Sequence, residues 1–343
     1  MASKYSGLMV WPIILAILLI YPRYAHRRLV AMIGMGFVAF MVLWATYLFD
    51  FGPLPGLVWT VPVPVPFYLS SLWRTFTDFE AVSRPAFLFG QVSDYGWWYY
   101  FPATLLVKNT VPLLLGSGRG ILPALRLHGA RRASILWLPF VFFLSLAMTG
   151  RLSIGYRHIL PAVPFMIIIA GHSILWLSRF TLRTSRLALL FFAVLLLWHM
   201  IASVNVFPDY ESYFNELVGG PKNGYRVLVD SNLDWGQDLP ALKQFLSEEE
   251  VEDLYLSFFG TAPPESYGVS YRPLPSFPRF EKGKEEKAYN PYTPLPGWYA
   301  IRATSLQLGL YLQDRDLYAY FKDKEPIAQA GYSINLYRVE YPE

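Results

Sequence analysis

Apolar positions in the first part of the chain fall in long unbroken runs rather than in alternation. Leu29–Phe49, Trp97–Leu115, Ile159–Leu177 and Leu187–Val206 are the clearest, each 19 to 21 residues long. A helix needs ~20 apolar residues to cross a hydrocarbon core. Gly7–Tyr21 and Ile135–Met148 are shorter, nearer the length of a buried helix or a signal segment. Beyond Phe207 the pattern changes. Arg226–Asp230, Leu254–Phe259, Tyr299–Ala303 and Ile334–Val339 read as strands, and Leu239–Leu246 and the stretch near Leu317–Phe321 as helices. That order predicts a small α/β domain. Pro263–Pro296 is rich in Pro, Tyr and charge, and Lys282–Lys287 within it reads as a solvated loop. The expected architecture is a multi-pass α-helical membrane protein of about six spans. Residues 1–207 form the spans, with outer loops 50–96 and 150–158, and residues 208–343 form a C-terminal extracytoplasmic α/β domain.

Charge orders these runs. The chain is 54% hydrophobic and 16% charged, against about 25% charged for soluble domains. This excludes disorder and argues against a single soluble enzyme. With no cysteine, a disulfide scaffold, a thiolate zinc site and a cysteine nucleophile are excluded. Residues 1–207 balance at +12 and residues 208–343 at −8. Arg23, Arg27 and Arg28 follow the first run; Arg119, Arg126, Arg131 and Arg132 follow the third; Arg179, Arg183 and Arg186 follow the fifth. Arginine-rich short loops stay cytoplasmic. Loops 50–96 and 150–158, the tail and both termini are therefore expected outside the cell (inner) membrane. Only Met1–Ser6 precede the first run. Either Gly7–Tyr21 is a signal anchor, or the chain is the back portion of a longer membrane protein.

The outer loops carry the chemistry. Pro53–Pro66 is too rich in proline for a helix, and Phe67–Phe79 is expected to be a short interfacial helix. Arg84 lies ahead of Gln91, Asp94 and the aromatic row Trp97–Phe101, a row that suits an interfacial aromatic belt. Lys108 falls inside an apolar run, where a charge costs at least ~2.5–3.5 kcal/mol. It is either a structural ion pair or a cation for an anionic head group. Loop 150–158 packs Arg151, Arg157, His158 and two glycines into one short connection. Arginine suits bidentate phosphate contacts, and glycine admits a close backbone. These residues either meet lipid phosphates or hold the phosphate of a lipid-linked substrate. His26, His128, His172 and His199 form no ligand pair at helical spacing, which argues against a histidine metal site.

In the acidic half, Asp230, Asn232, Asp234 and Asp238 alternate as in a calcium loop. Such a loop needs Gly sixth and Glu twelfth, where this chain has Trp235 and Ala241, so an EF-hand is rejected. The favoured reading is a strand turning into a helix, with the aspartates capping turns. A looser divalent-cation site is the alternative, no cofactor being firmly implied. The carboxyl end of an Arg226–Asp230 strand would be a natural place for a ligand.

Four blocks carry a resemblance: Gly90–Asn109 (GQVSDYGWWYYFPATLLVKN), Arg151–Phe165 (RLSIGYRHILPAVPF), Tyr213–Leu239 (YFNELVGGPKNGYRVLVDSNLDWGQDL) and Gly331–Val339 (GYSINLYRV). In this order they resemble the bacterial GT-C membrane glycosyltransferases related to protein O-mannosyltransferases and aminoarabinose transferases, the glycosyltransferase family 39 group. The resemblance implies transfer of a sugar from a polyprenyl-phosphate donor to an acceptor at the outer membrane face. It implies phosphate binding at Lys108, Arg151, Arg157 and His158, with cations stabilising the leaving phosphate. Two departures stand out. Ser83-Arg84 occupies the place of a Gly-His pair, and the family's acidic catalytic loop and early spans are expected to be missing ahead of Ser3–Gly7.

Without that loop, Asp94 and Glu80 are the remaining candidates for a general base, and Arg84 joins the substrate-binding set. The alternative function is a non-catalytic membrane subunit that binds a lipid-linked sugar or a partner enzyme, the partner supplying the missing spans. A transporter lacks support, since no internal repeat is visible. Membrane lipids are expected partners. Nucleic acid is not, because the arginines are dispersed and the outer domain is acidic.

Overall fold

The computed structural model describes residues 5–21, 25–56, 61–77, 84–150, 152–177, 182–258, 260, 262–276, 289–309 and 316–341. Glu80, Arg151 and Lys282–Lys287 lie outside the described residues.

The apolar runs become helices α1 (Val10–Ile20) and α2 (Ala25–Thr46), followed by the short pair β1 (Phe51–Gly52) and β2 (Val63–Pro64) and helix α3 (Pro66–Thr77). A hairpin, β3 (Ala86–Leu88) and β4 (Gln91–Ser93), leads to α4 (Tyr100–Lys108) and the long α5 (Val111–Thr149). Helices α6 (Val163–Leu177) and α7 (Leu182–Val204) complete the apolar half. Two helical segments, His26–Thr46 and Arg131–Thr149, are long and apolar enough to cross a membrane; Gly7–Ile20, Leu160–Ser173 and Leu189–Val204 are shorter apolar helices. Helix α5 is two helices joined at Gly129, whose φ of 71° breaks the ladder. Small residues let α5 and α6 approach: Gly116 sits against Ala170, and Gly120 against the Ile169 carbonyl, where a Cβ would collide.

The run Trp97–Leu115 is not one helix. Asn109 is extended (φ −109°, ψ 150°), and Thr110 caps a new helix by accepting from Leu113 N at 3.4 Å, with Pro112 in its first turn. Proline lacks the N–H that a helix interior needs, so it suits a helix start. Lys108 therefore ends a nine-residue helix instead of sitting in the middle of a span.

The C-terminal part holds a five-stranded mixed sheet of β5 (Leu254–Ser257), β6 (Arg272–Pro273), β7 (Gly297–Arg302), β8 (Ala328–Ala330) and β9 (Ile334–Val339), in the order β6-β5-β7-β9-β8. Strand β5 runs parallel to β6 and β7, and β9 antiparallel to β7 and β8. Alternate residues face opposite sides. Leu254, Leu256, Ala300 and Leu336 pack on Leu239, Leu242 and Leu246 of α8 (Leu239–Glu248). Tyr255, Tyr299, Ile301 and Tyr337 point the other way, into a core shared with Phe321 and Tyr318 beside α9 (Ala303–Leu308) and α10 (Ala319–Lys322). That second core also holds Tyr100, Phe101 and Val107 of α4, Phe87 and Leu88 of β3, and Ile159. The sheet is thereby welded to the loops of the apolar half. Arg226–Asp230 is not a strand: a 3-10 helix, Pro221–Arg226, runs into a second one at Asp230–Asn232. Val227 and Leu228 donate back to Gly224 O at 2.9 and 3.0 Å, so the apolar side chains enter the core from a turn.

Candidate functional site

The segment Asp230–Asp238 lies across the loop 152–158 at the C-terminal end of α5. Two consecutive residues, Ser231 and Asn232, staple the two together. Ser231 Oγ donates to Ile154 O at 2.6 Å, and Tyr156 N donates to Asn232 Oδ1 at 2.8 Å. Asn232 Nδ2 donates to the Tyr100 hydroxyl at 2.8 Å and to Val229 O at 3.1 Å. The approach requires glycine at 155, because a Cβ there would overlap Ser231 Oγ. From the other side, Asn215 Nδ2 reaches Leu106 O at 2.6 Å and Asn109 O at 2.8 Å, closing the open carbonyls at the end of α4.

Lys108 belongs to this staple. Its ammonium donates to Asn232 O at 2.6 Å and Glu211 O at 2.7 Å and stands 4.4 Å from the centre of the Phe214 ring. Two backbone carbonyls and an aromatic face meet the charge, so the side chain acts as a clamp between α4 and the C-terminal part. His158 sits edge-on to Phe101, ring centres 6.2 Å apart, within the packing of the same loop.

Elsewhere, the charges of Arg157, Arg84 and Arg302 act on Asp230. This half-buried aspartate is in the left-handed region, φ 58°. Its backbone N donates to Thr304 Oγ1 at 3.0 Å, and Ser231 N donates to Oδ1 at 2.5 Å. Burial pushes the carboxyl above the usual aspartate range; the Ser231 amide and the charges of Arg157, Arg84 and Arg302 pull it back. Arg84 and Arg157, two residues singled out from the sequence, thus both act through their charge on one carboxyl group. Arg157 is held over Trp235, guanidinium carbon 4.5 Å from the ring centre. Such a contact is worth about 0.5–1 kcal/mol at an exposed site.

Beneath them runs a buried ion pair. Arg302, at the end of β7, pairs with Asp234, both side chains at 1% exposure or less. Burial opposes the charge on Arg302, and the carboxylates of Asp234 and Asp230 offset it. Asp234 Oδ1 also accepts from Gly236 N at 3.1 Å, and Gln237 Oε1 from Trp235 N at 2.7 Å. Asp238 Oδ2 accepts from Ser333 N at 3.1 Å, and its carboxyl is pushed up to about 6, mainly by burial.

The carboxylates read as calcium-like from their spacing therefore face arginines and amides. Among the described residues no three His, Asp or Glu side chains gather as metal ligands. Asp94 stands exposed beyond β4; the carboxylate at the arginines is Asp230, which sequence spacing had cast as a turn cap. The only local signal for it was its place after the apolar Val227–Val229. No family model, curated protein or solved structure matches the chain.

Proposed function

We propose that the chain is a membrane glycosyltransferase of GT-C type, or the C-terminal part of one. It would transfer a sugar from a polyprenyl-phosphate donor at the outer face of the cell (inner) membrane. The observation that carries this reading is Arg157 held over the Trp235 ring at the loop that follows α5, with its charge and that of Arg84 acting on the Asp230 carboxyl. The two arginines would take the donor phosphate, stabilising the charge that develops as the sugar leaves. Once their charge is engaged by the phosphate, its pull on Asp230 falls, and the half-buried carboxylate gains basicity and accepts the proton of the acceptor hydroxyl. Multi-pass insertion, with the C-terminal α/β part outside, is consistent with the arginine-rich loops on the opposite side.

The test is label movement by the full chain in proteoliposomes, given a radiolabelled polyprenyl-phosphate hexose and a membrane extract as acceptor. Label should leave the polyprenyl pool, and Asp230→Asn should slow this by about 100-fold or more, the usual worth of a general base. An unchanged rate in Asp230→Asn sinks the assignment. A second reading, a non-catalytic subunit that presents the lipid-linked sugar to a partner enzyme, draws support from α2, of which only 6% is buried within this chain. Donor binding with no label movement would select it.

A further inference from the structure

We propose that the cleft between the Pro221–Arg226 turn and the β8–β9 hairpin binds a neutral saccharide unit. The cleft encloses about 720 Å³, and its walls include Asp209, Lys222, Asn223, Glu325, Gln329 and Tyr332. That volume falls in the ~300–1,000 Å³ range of small-molecule sites. Its charges balance: Glu325 is bonded to Arg226 at the rim, and Asp209 has Lys222 as its counterpart in the lining. A ligand of one strong sign gains little there, and walls that mix polar groups with Tyr225, Ile327 and Tyr332 suit a ligand that carries both hydroxyls and apolar C–H faces.

What the lining offers is hydrogen-bond acceptors. Asn223 donates its amide to Gly219 O at 3.1 Å, and Gln329 donates to Lys222 O at 3.1 Å and Asn335 Oδ1 at 2.9 Å. Their amide oxygens are left to accept. The side chains of Asp209 and Lys222 make no hydrogen bond or ion pair among the described residues. Burial works against the Asp209 charge, which hydroxyl donors would relieve. Sugar hydroxyls match this set, each able to donate to an amide or carboxylate oxygen.

Tyr332 is the independent observation. It has φ 94°, a conformation unfavourable for a bulky side chain, in a turn where glycine or asparagine fits without strain. The neighbouring Gly331, φ 64°, uses that freedom, and a Cβ there would overlap the Asp238 carboxyl. Tyr332 packs in part against the aromatic core and also lines the cleft, and the exposed part of a phenol ring supplies a flat apolar face on which the C–H side of a pyranose rests. The cleft also opens beside Asp209, just past the end of α7, so its ligand would be met close to the ends of the apolar helices.

The experiment uses the full chain in detergent, with no lipid donor, so it is independent of sugar transfer. A glycan array carrying neutral, anionic and amine-bearing oligosaccharides is probed, and the best binder is titrated calorimetrically. Neutral glycans should bind, and Tyr332→Gly should weaken the best of them at least about fivefold. Asn223→Ala, at a partly exposed position, should weaken it likewise and decides the matter if Tyr332→Gly unfolds. Absence of glycan binding, a preference for charged glycans, or full affinity in Asn223→Ala would overturn the proposal.

Discussion

The guanidinium of Arg157 is stacked on the indole of Trp235, 4.5 Å from the ring centre. The two residues come from different halves of the chain, one from the loop after α5 and the other from the acidic segment before α8. The stack matters because Arg157 also acts on Asp230. A long side chain held on a ring loses less entropy when it meets a phosphate. Trp235 is itself 45% exposed, open to a ligand on its outer side.

Trp235→Ala should therefore leave Arg157 charged but unguided. The expected effect is a three- to tenfold weaker affinity for polyprenyl-phosphate sugar, about 1 kcal/mol, measured in nanodiscs. Arg157→Ala should cost more, and Arg119→Ala, on the exposed surface of α5, nothing measurable. Equal affinities in all three variants would reduce the stack to surface packing.

Gly155→Ala should loosen the junction. Its new Cβ would overlap Ser231 Oγ, and the loop cannot withdraw without losing the Ser231 and Tyr156 hydrogen bonds. A destabilisation of about 1–3 kcal/mol is expected, read as a lower melting temperature. Adding Ser231→Ala should recover part of it by removing the atom in conflict. If the double variant melts no higher than Gly155→Ala alone, the close approach is not the cause.

Asp238 supplies a pH signature. Its folded carboxyl is raised to about 6 from an ordinary 3.8, so the folded state holds its proton more tightly than the unfolded chain. By linkage this contribution favours folding below about pH 4 and is lost as pH rises to about 6, above which the buried carboxylate opposes folding. Asp238→Asn keeps an acceptor for Ser333 N and removes the titration. Its stability relative to the parent should rise by on the order of 2 kcal/mol between pH 4 and pH 7. Parallel melting curves across that range would show that Asp238 does not titrate in this way.

Some of the molecule was legible in the residue pattern because the responsible forces are local. Ile334–Val339 alternates and is a strand over the same residues, and Leu239–Leu246, apolar at helical spacing, lies within α8. Unbroken apolar runs likewise marked where α2, α6 and α7 would lie. Val227–Val229 shows the limit. Its composition suits a strand, but a strand needs a partner edge, and here the backbone turns back on Gly224 while the side chains fill the core. Lys108 shows it again: an ammonium in an apolar run signals something unusual, and only the packed structure reveals that two carbonyls of the C-terminal part receive it.

The amino-acid order by itself determined the division into an apolar, arginine-studded half and an acidic half. Hydrophobic period and charge sign are properties of neighbouring residues, and they act before any long-range contact forms. Only the tertiary structure decided that the charges of Arg84 and Arg157 act on Asp230 and that Asp234 is bound to Arg302. Those residues are remote along the chain and joined by no period. The sheet's second core, closing on α4 and its loops, fixes the distances at which their charges act.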